Sequence, residues 1–166
     1  MLEVRLKMAD HVLDAVPRHW FSWDFTVMDG STPLADIDVS WWREKGELTV
    51  LGTPYRVYRE GLMSGAFLLE SAGSIVARAE KPSAFRRVFV IEHGDRHYTL
   101  RARSAFRREF VLLDGSTKIG SLKPGLFTRR AKVVLPRDWA PEVKVFTIWL
   151  AVILWKRQAD SAHGAS

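Results

Sequence analysis

The run Val143-Lys-Val-Phe-Thr-Ile-Trp-Leu-Ala-Val-Ile-Leu-Trp155 is almost wholly apolar, yet it lies near the end of a 166-residue chain that otherwise reads as short strands. A helix that is apolar all round has to be enclosed on every side, by protein or by lipid. Its uncharged part, Val145 to Trp155, holds 11 residues. At 1.5 Å per residue that is roughly 16 Å, against about 30 Å for the hydrocarbon of a bilayer. Lengthening the run would draw in Glu142 and Lys144 on one side and Lys156 and Arg157 on the other, at roughly 2.5 to 3.5 kcal/mol per buried charge. The run is therefore read as a core helix, and the chain as not an integral membrane protein.

The enclosing material must come from the residues before it. Turn signals recur at Asp29-Gly30, Lys45-Gly46, Leu51-Gly52, Glu60-Gly61, Ala72-Gly73, His93-Gly94-Asp95, Asp114-Gly115 and Pro124-Gly125, with runs rich in Val, Ile, Phe, Trp and Tyr between them. Short strands at that spacing mark an all-β sandwich or barrel. The expected strands are 22–28, 34–42, 47–50, 55–59, 66–70, 74–80, 85–92, 96–103, 109–113, 118–122 and 130–135. Leu2 to Met8 alternates like a strand, but Leu2, Leu6, Ala9 and Leu13 also fit one helical face, so that element stays open. Leu135-Pro136-Arg137-Asp138-Trp139-Ala140-Pro141 breaks the last strand from the helix. Asp138 is a candidate N-terminal cap and Pro141 an acceptable first-turn residue. The expected organisation is one domain over 1–157, its core helix at about 141–157, followed by a disordered tail at 158–166.

An internal repeat points to a meandering sheet. Ser83-Ala-Phe-Arg-Arg-Val-Phe-Val90 recurs 21 residues later as Ser104-Ala-Phe-Arg-Arg-Glu-Phe-Val111, and a further 21 residues brings Phe127-Thr-Arg129-Arg130. Each such unit holds two short strands and two turns, so equivalent Phe-Arg-Arg corners should fall at one level of a sheet. A closed sheet would surround the helix and remove exposed strand edges.

Charge is distributed as unevenly as hydropathy. Residues 1–70 hold 7 Lys and Arg against 11 Asp and Glu, whereas residues 71–132 hold 14 against 5. A basic block of this kind attracts phosphates in lipid head groups, nucleic acid or small molecules, although it also serves as a solvated face that discourages edge pairing. The absence of cysteine excludes disulfides, thiol catalysis and cysteine zinc sites. Glu3 and Asp10 interrupt the N-terminal stretch, which argues against a signal peptide and makes the cytoplasm the default location.

Phe25-Thr-Val27-Met-Asp29-Gly30, Tyr55-Arg-Val57-Tyr-Arg59-Glu60, Ile119-Gly120 with Phe127-Thr-Arg129, and Leu135-Pro136 leading into Val145-Phe146 and Leu154-Trp155-Lys156-Arg157 occur in an order that resembles the tubby C-terminal-like superfamily. That superfamily takes in tubby proteins, phospholipid scramblases and the LURP-one-related group, and the chain is similar to its small bacterial-type members over roughly residues 20–157. The resemblance implies a closed, mostly antiparallel barrel of about twelve strands around a central hydrophobic C-terminal helix. It also implies recognition of anionic phospholipid head groups, since tubby domains bind phosphoinositides through lysine and arginine. The chain lacks the cysteine-rich and proline-rich segments of scramblases and any acidic calcium loop, which puts scrambling in doubt.

Signatures of catalysis are sparse. There is no G-x-S-x-G and no G-x-G-x-x-G, and Gly115-Ser-Thr-Lys-Ile-Gly120-Ser121 lacks the lysine a phosphate loop needs after its second glycine. His93, Asp95 and His97 offer metal ligands on one turn, but a hairpin tip accounts for the same residues. Asp36 and Asp38 point to one face of a strand, read as a wet outer face rather than an acid and base pair. Trp20, Phe21, Trp23, Phe25, Trp41 and Trp42 are expected to pack in the core or at a barrel end, with a ligand platform as the lesser alternative. The functional weight falls on Arg86, Arg87, Arg107, Arg108, Arg129 and Arg130, whose guanidinium forks match phosphate geometry. If these arginines lie on strands, alternation lets at most half share a face, leaving the rest as rim cations or partners of Glu80, Glu92 and Glu109.

The expected function is that of a non-enzymatic, cytoplasmic binding domain, peripheral to a membrane, without cofactor or metal. It would recognise anionic phospholipid head groups or another phosphate-bearing ligand through its basic surface. The alternative is a structural or protein-interaction barrel with no lipid role. Aromatics interleaved with arginines also stack nucleic-acid bases, which keeps nucleic acid open as a lesser partner.

Overall fold

The computed structural model describes residues 10–39, 45–61, 65–82, 86–104 and 106–164. Twelve strands run in chain order: β1 Asp10–Pro17, β2 Phe25–Asp29, β3 Thr32–Val39, β4 Gly46–Val50, β5 Thr53–Arg59, β6 Phe67–Ser71, β7 Ser74–Glu80, β8 Val88–His93, β9 Arg96–Ala102, β10 Phe110–Asp114, β11 Thr117–Pro124 and β12 Ala131–Pro136. Each pairs antiparallel with its neighbours in sequence, and β1 closes on β12 through Asp10↔Pro136 to Ala15↔Ala131. The result is a closed up-and-down barrel, followed by one helix, α1, over Pro141–His163.

Alternation along the strands builds the interior. Leu13 and Ala15, Phe25 and Val27, Ile37, Leu48, Phe67 and Leu69, Phe89 and Ile91, Leu100, Phe110 and Leu112, and Val133 and Leu135 all point inward and are fully buried. Helix α1 runs through that interior and is buried on every face from Val143 to Trp155. Its ring contacts reach strands four apart around the barrel: Trp149 packs edge-on against Phe67 of β6 at 5.2 Å, and Trp155 lies 6.0 Å from Phe110 of β10. A barrel of this strand number is wide enough to hold one helix in place of layered side chains. Among the described residues, no helix is long and apolar enough to cross a membrane.

Four sequence expectations need correcting. The twelfth strand, β1, lies at Asp10–Pro17, in a stretch with no expected strand; the open element at Leu2 to Met8 falls outside the described residues. Helix α1 does not end at 157 but continues to His163, so 158–163 is helix rather than disordered tail. Its last turns carry their own local bonds, Lys156 Nζ to Asp160 at 2.8 Å and Ser161 Oγ to the Arg157 carbonyl at 2.9 Å. Asp138 does not cap the helix: Ala140 occupies the N-cap position and Pro141 opens the first turn. Gly46 is no turn residue but the first residue of β4. A Cβ there would collide with the Trp149 indole nitrogen and lie 2.9 Å from the Asp38 carbonyl oxygen, so glycine makes room for the central helix.

The meander gives the barrel two unlike ends. At one, two-residue turns join β2 to β3, β4 to β5, β6 to β7, β8 to β9 and β10 to β11, and the β12 to α1 turn enters the interior. At the other, connections of six or seven residues join the remaining strand pairs, at 18–24, 40–45, 60–66, 81–87, 103–109 and 125–130. The helix leaves through that second end. Because neighbours in sequence are neighbours in the sheet, the basic segment 71–132 becomes one contiguous wall of the barrel, β7 to β12.

Candidate binding surface

All six candidate arginines lie at the long-connection end, in three connections that follow one another around the rim. Arg86 and Arg87 precede β8, Arg107 and Arg108 precede β10, and Arg129 and Arg130 precede β12. The 21-residue period is the length of one hairpin unit of the meander, so each repeat returns the chain to the same rim. These residues sit in loops rather than strands, and the alternation that would have sent half of them to the opposite face does not apply.

The six divide by what their guanidinium groups do. Arg87 is a strut, donating to the Ser104 carbonyl at 2.9 Å and to Gln158 Oε1 of α1 at 3.3 Å. Arg129 is another: it donates to the Ser22 carbonyl at 2.7 Å and lies 5.2 Å above the Trp23 ring, tying connection 125–130 to connection 18–24. Arg130 reaches Asp14 at 3.5 Å, an exposed pair of small energetic value. Among the described residues no hydrogen bond or ion pair engages the guanidinium of Arg86, Arg107 or Arg108, although the Arg108 carbonyl accepts from the Trp155 indole at 2.7 Å. Glu80 and Glu92 pair instead with Arg78, and Glu109 with Arg103 at 3.1 Å. The carboxylates that might have neutralised the corner arginines are therefore committed elsewhere.

The same rim carries apolar side chains in water. Trp20 and Phe21 are 82% and 84% exposed, Phe106 95%, Leu126 91% and Phe127 96%. They occupy connections 18–24, 103–109 and 125–130, three consecutive loops beside the basic wall. These loops hold six arginines against two carboxylates, Asp24 and Glu109. Between the first and last lies a cleft of 530 Å³ bounded by Arg18, Trp20, Phe127 and Arg129. The expectation that Trp20 and Phe21 pack at the barrel end is corrected: only Phe25 of that group is core, Trp23 is half-buried under Arg129, and Trp41 and Trp42 lie outside the described residues. Sequence reading treated Phe106 and Phe127 as aromatics interleaved with arginines and passed over Leu126. The available signal was a large apolar residue set between turn-forming and charged residues, where no strand or helix offers it a core.

The remaining candidates are structural. His93 and His97 flank the β8–β9 turn, where His93 packs near Trp139 at 6.2 Å and His97 stands beside Glu92 at 4.0 Å. Among the described residues no group of three or more His, Asp or Glu side chains is placed to hold a metal ion. Asp36 accepts from Thr26 Oγ1 at 2.7 Å and Asp38 pairs with Arg18, both on the outer face.

One polar cluster was not anticipated. At the tight-turn end Lys144, buried on α1, donates to His11 Nδ1 at 3.0 Å and to the Arg137 carbonyl at 2.9 Å, while His11 Nε2 meets Asp29 at 2.9 Å. Burial pushes the Lys144 amine below its ordinary range, partly opposed by Asp138. The cluster pins the entry of α1 to β1 and β2.

No family model, curated protein or solved structure matches the chain.

Proposed function

We propose that the chain is a non-enzymatic binding domain that recognises anionic phospholipid head groups or another phosphate-bearing ligand through its long-connection end, as a protein peripheral to a cytoplasmic membrane surface. The observation that carries this reading is the gathering of Arg86, Arg107 and Arg108 on one rim with guanidinium groups that have no partner among the described residues. Guanidinium forks donate paired N–H bonds to phosphate oxygens, and a rim of one sign raises the local concentration of anions. Arg87 acts as a strut between connections 81–87 and 103–109, on which Arg86, Arg107 and Arg108 stand. Kinship with the tubby C-terminal-like superfamily is a further proposal, carried by the sequence motifs and their order.

Co-sedimentation with vesicles at low salt tests the reading. Vesicles containing phosphatidylserine or phosphoinositides should pellet the protein and neutral phosphatidylcholine vesicles should not. Each arginine of the free set should contribute about fivefold to affinity, so Arg86→Gln, Arg107→Gln and Arg108→Gln combined should weaken binding by about a hundredfold. Equal pelleting with both vesicle types would sink the reading. The second reading is a structural barrel, or one that docks on a protein through the same exposed rim, with no lipid role. A pull-down dominated by one partner and indifferent to these arginines would support it.

A further inference from the structure

We infer that the apolar tips of connections 18–24, 103–109 and 125–130 enter the hydrocarbon of an anionic bilayer, so that the domain is anchored below the head groups its arginines contact. The inference rests on the head-group reading above and commits the partner to an intact bilayer rather than a soluble phosphate.

Water exposure of these side chains is close to complete, from 82% at Trp20 to 96% at Phe127. They stand off the rim on separate loops. An apolar side chain that contributed to the fold would lie in the core cluster, and none of these five does. A protein partner is bound most strongly by anchors seated in packed, desolvated surroundings, whereas side chains this exposed on a basic rim match an anionic bilayer, whose fluid hydrocarbon closes around each of them. Charge follows the same pattern. Arg107 and Arg108, whose guanidinium groups have no partner among the described residues, follow Phe106, while Arg18, Arg129 and Arg130 flank the other tips with guanidinium groups engaged by Asp38, the Ser22 carbonyl and Asp14. A cation two or three residues behind an apolar tip meets phosphate when the tip lies just beneath it, and tryptophan favours that boundary. The opposite end is less exposed: among the described residues its large apolar side chains Leu51, Ile75 and Val12 are 68%, 51% and 47% exposed, and Arg78, the arginine nearest Ile75 in sequence, is paired with Glu60 and Glu80.

Each buried tip should strengthen membrane partitioning about tenfold, and that part resists salt, unlike arginine contacts screened beyond a Debye length of about 8 Å. The central helix is not required to move, since it is already enclosed. Binding should therefore persist at salt concentrations that abolish simple charge attraction.

The test combines depth and salt. In a chain carrying Trp23→Phe, Trp41→Phe and Trp42→Phe, vesicles of phosphatidylserine and phosphatidylcholine with bromine on the acyl chains should quench tryptophan emission, and adding Trp20→Phe should remove that quenching, because Trp139, Trp149 and Trp155 are buried. Phe106→Ser combined with Phe127→Ser should lower vesicle affinity about a hundredfold at high salt, with an unchanged melting curve. Tight binding to anionic vesicles without quenching, and with no effect of the serine pair, would overturn insertion while leaving head-group recognition intact. No binding to any vesicle would overturn both readings. A stoichiometric protein complex lost on the same serine substitutions, in a chain that ignores vesicles, would reassign the surface to a protein partner and overturn insertion.

Discussion

The two ends of the barrel are made from the same strands and differ in how the chain turns around. At the tight-turn end two residues suffice, the entry of α1 is pinned by Lys144, His11 and Asp29, and Trp139 closes on Tyr98 at 4.7 Å. At the long-connection end the chain spends six or seven residues per crossing, much more than a sheet needs to reverse. Three of these crossings, 18–24, 103–109 and 125–130, carry arginines together with exposed aromatics. Exposed apolar side chains of this kind, set among cations, are what the proposed binding role asks of the long-connection end.

Helix anchoring gives the largest expected contrast. Trp155, 1% exposed and hydrogen-bonded to the Arg108 carbonyl, holds the exit of α1. Trp155→Ala should cost about 3 to 5 kcal/mol by chemical denaturation. At the entry, Lys144→Ala should cost about 1 to 3 kcal/mol, because the Arg137 carbonyl and His11 lose their donor. A Trp155 effect no larger than the Lys144 effect would mean that the exit is not a packed anchor.

Lys144 also gives the tight-turn end a pH signature. Its amine titrates below the ordinary lysine range in the folded chain, so between that lowered value and the ordinary one the unfolded chain binds more protons. Stability contributed by this group should therefore rise as pH rises through that window. Lys144→Met should flatten the rise, which denaturation midpoints measured across mildly to strongly alkaline pH would show.

Smaller effects come from the turns themselves. Leu51 and Ala72 hold φ of 47° and 49°, a left-handed conformation that asparagine tolerates better than they do. Leu51→Asn and Ala72→Asn should each stabilise by about 0.5 to 1 kcal/mol, read as a higher melting temperature. At the other end, Phe106→Ser and Phe127→Ser should each change stability by less than about 0.5 kcal/mol, because neither side chain touches the core. A large loss there would mean that the tips serve the fold.

Legibility in the sequence followed the same division. The tight-turn end could be read because glycine marks a reversal directly, and five of the turn signals are the five hairpin turns. The central helix could be read because its apolar run is too short for lipid and too apolar for a surface. β1 is not legible because Leu13 also falls on one helical face with Leu2, Leu6 and Ala9, and the strand pair Leu13 and Ala15 stands out only once β12 supplies the partner. Gly46 was misread as a turn because its reason is Trp149, more than a hundred residues away. The 21-residue spacing places the corner arginines at one rim, but their division into struts and unengaged groups is not legible, since it depends on where Ser22, Ser104 and Gln158 arrive.

A charge-matched comparison of the ends tests the account most directly. Arg86→Gln, Arg107→Gln and Arg108→Gln remove three cations from the long-connection end, and Arg96→Gln, Lys118→Gln and Arg137→Gln remove three from the tight-turn end. Equilibrium binding of both variants to phosphatidylserine vesicles should show a loss of about a hundredfold for the first and less than about threefold for the second. Equal losses would show that net charge alone governs attraction, and would contradict the assignment of binding to one end of the barrel.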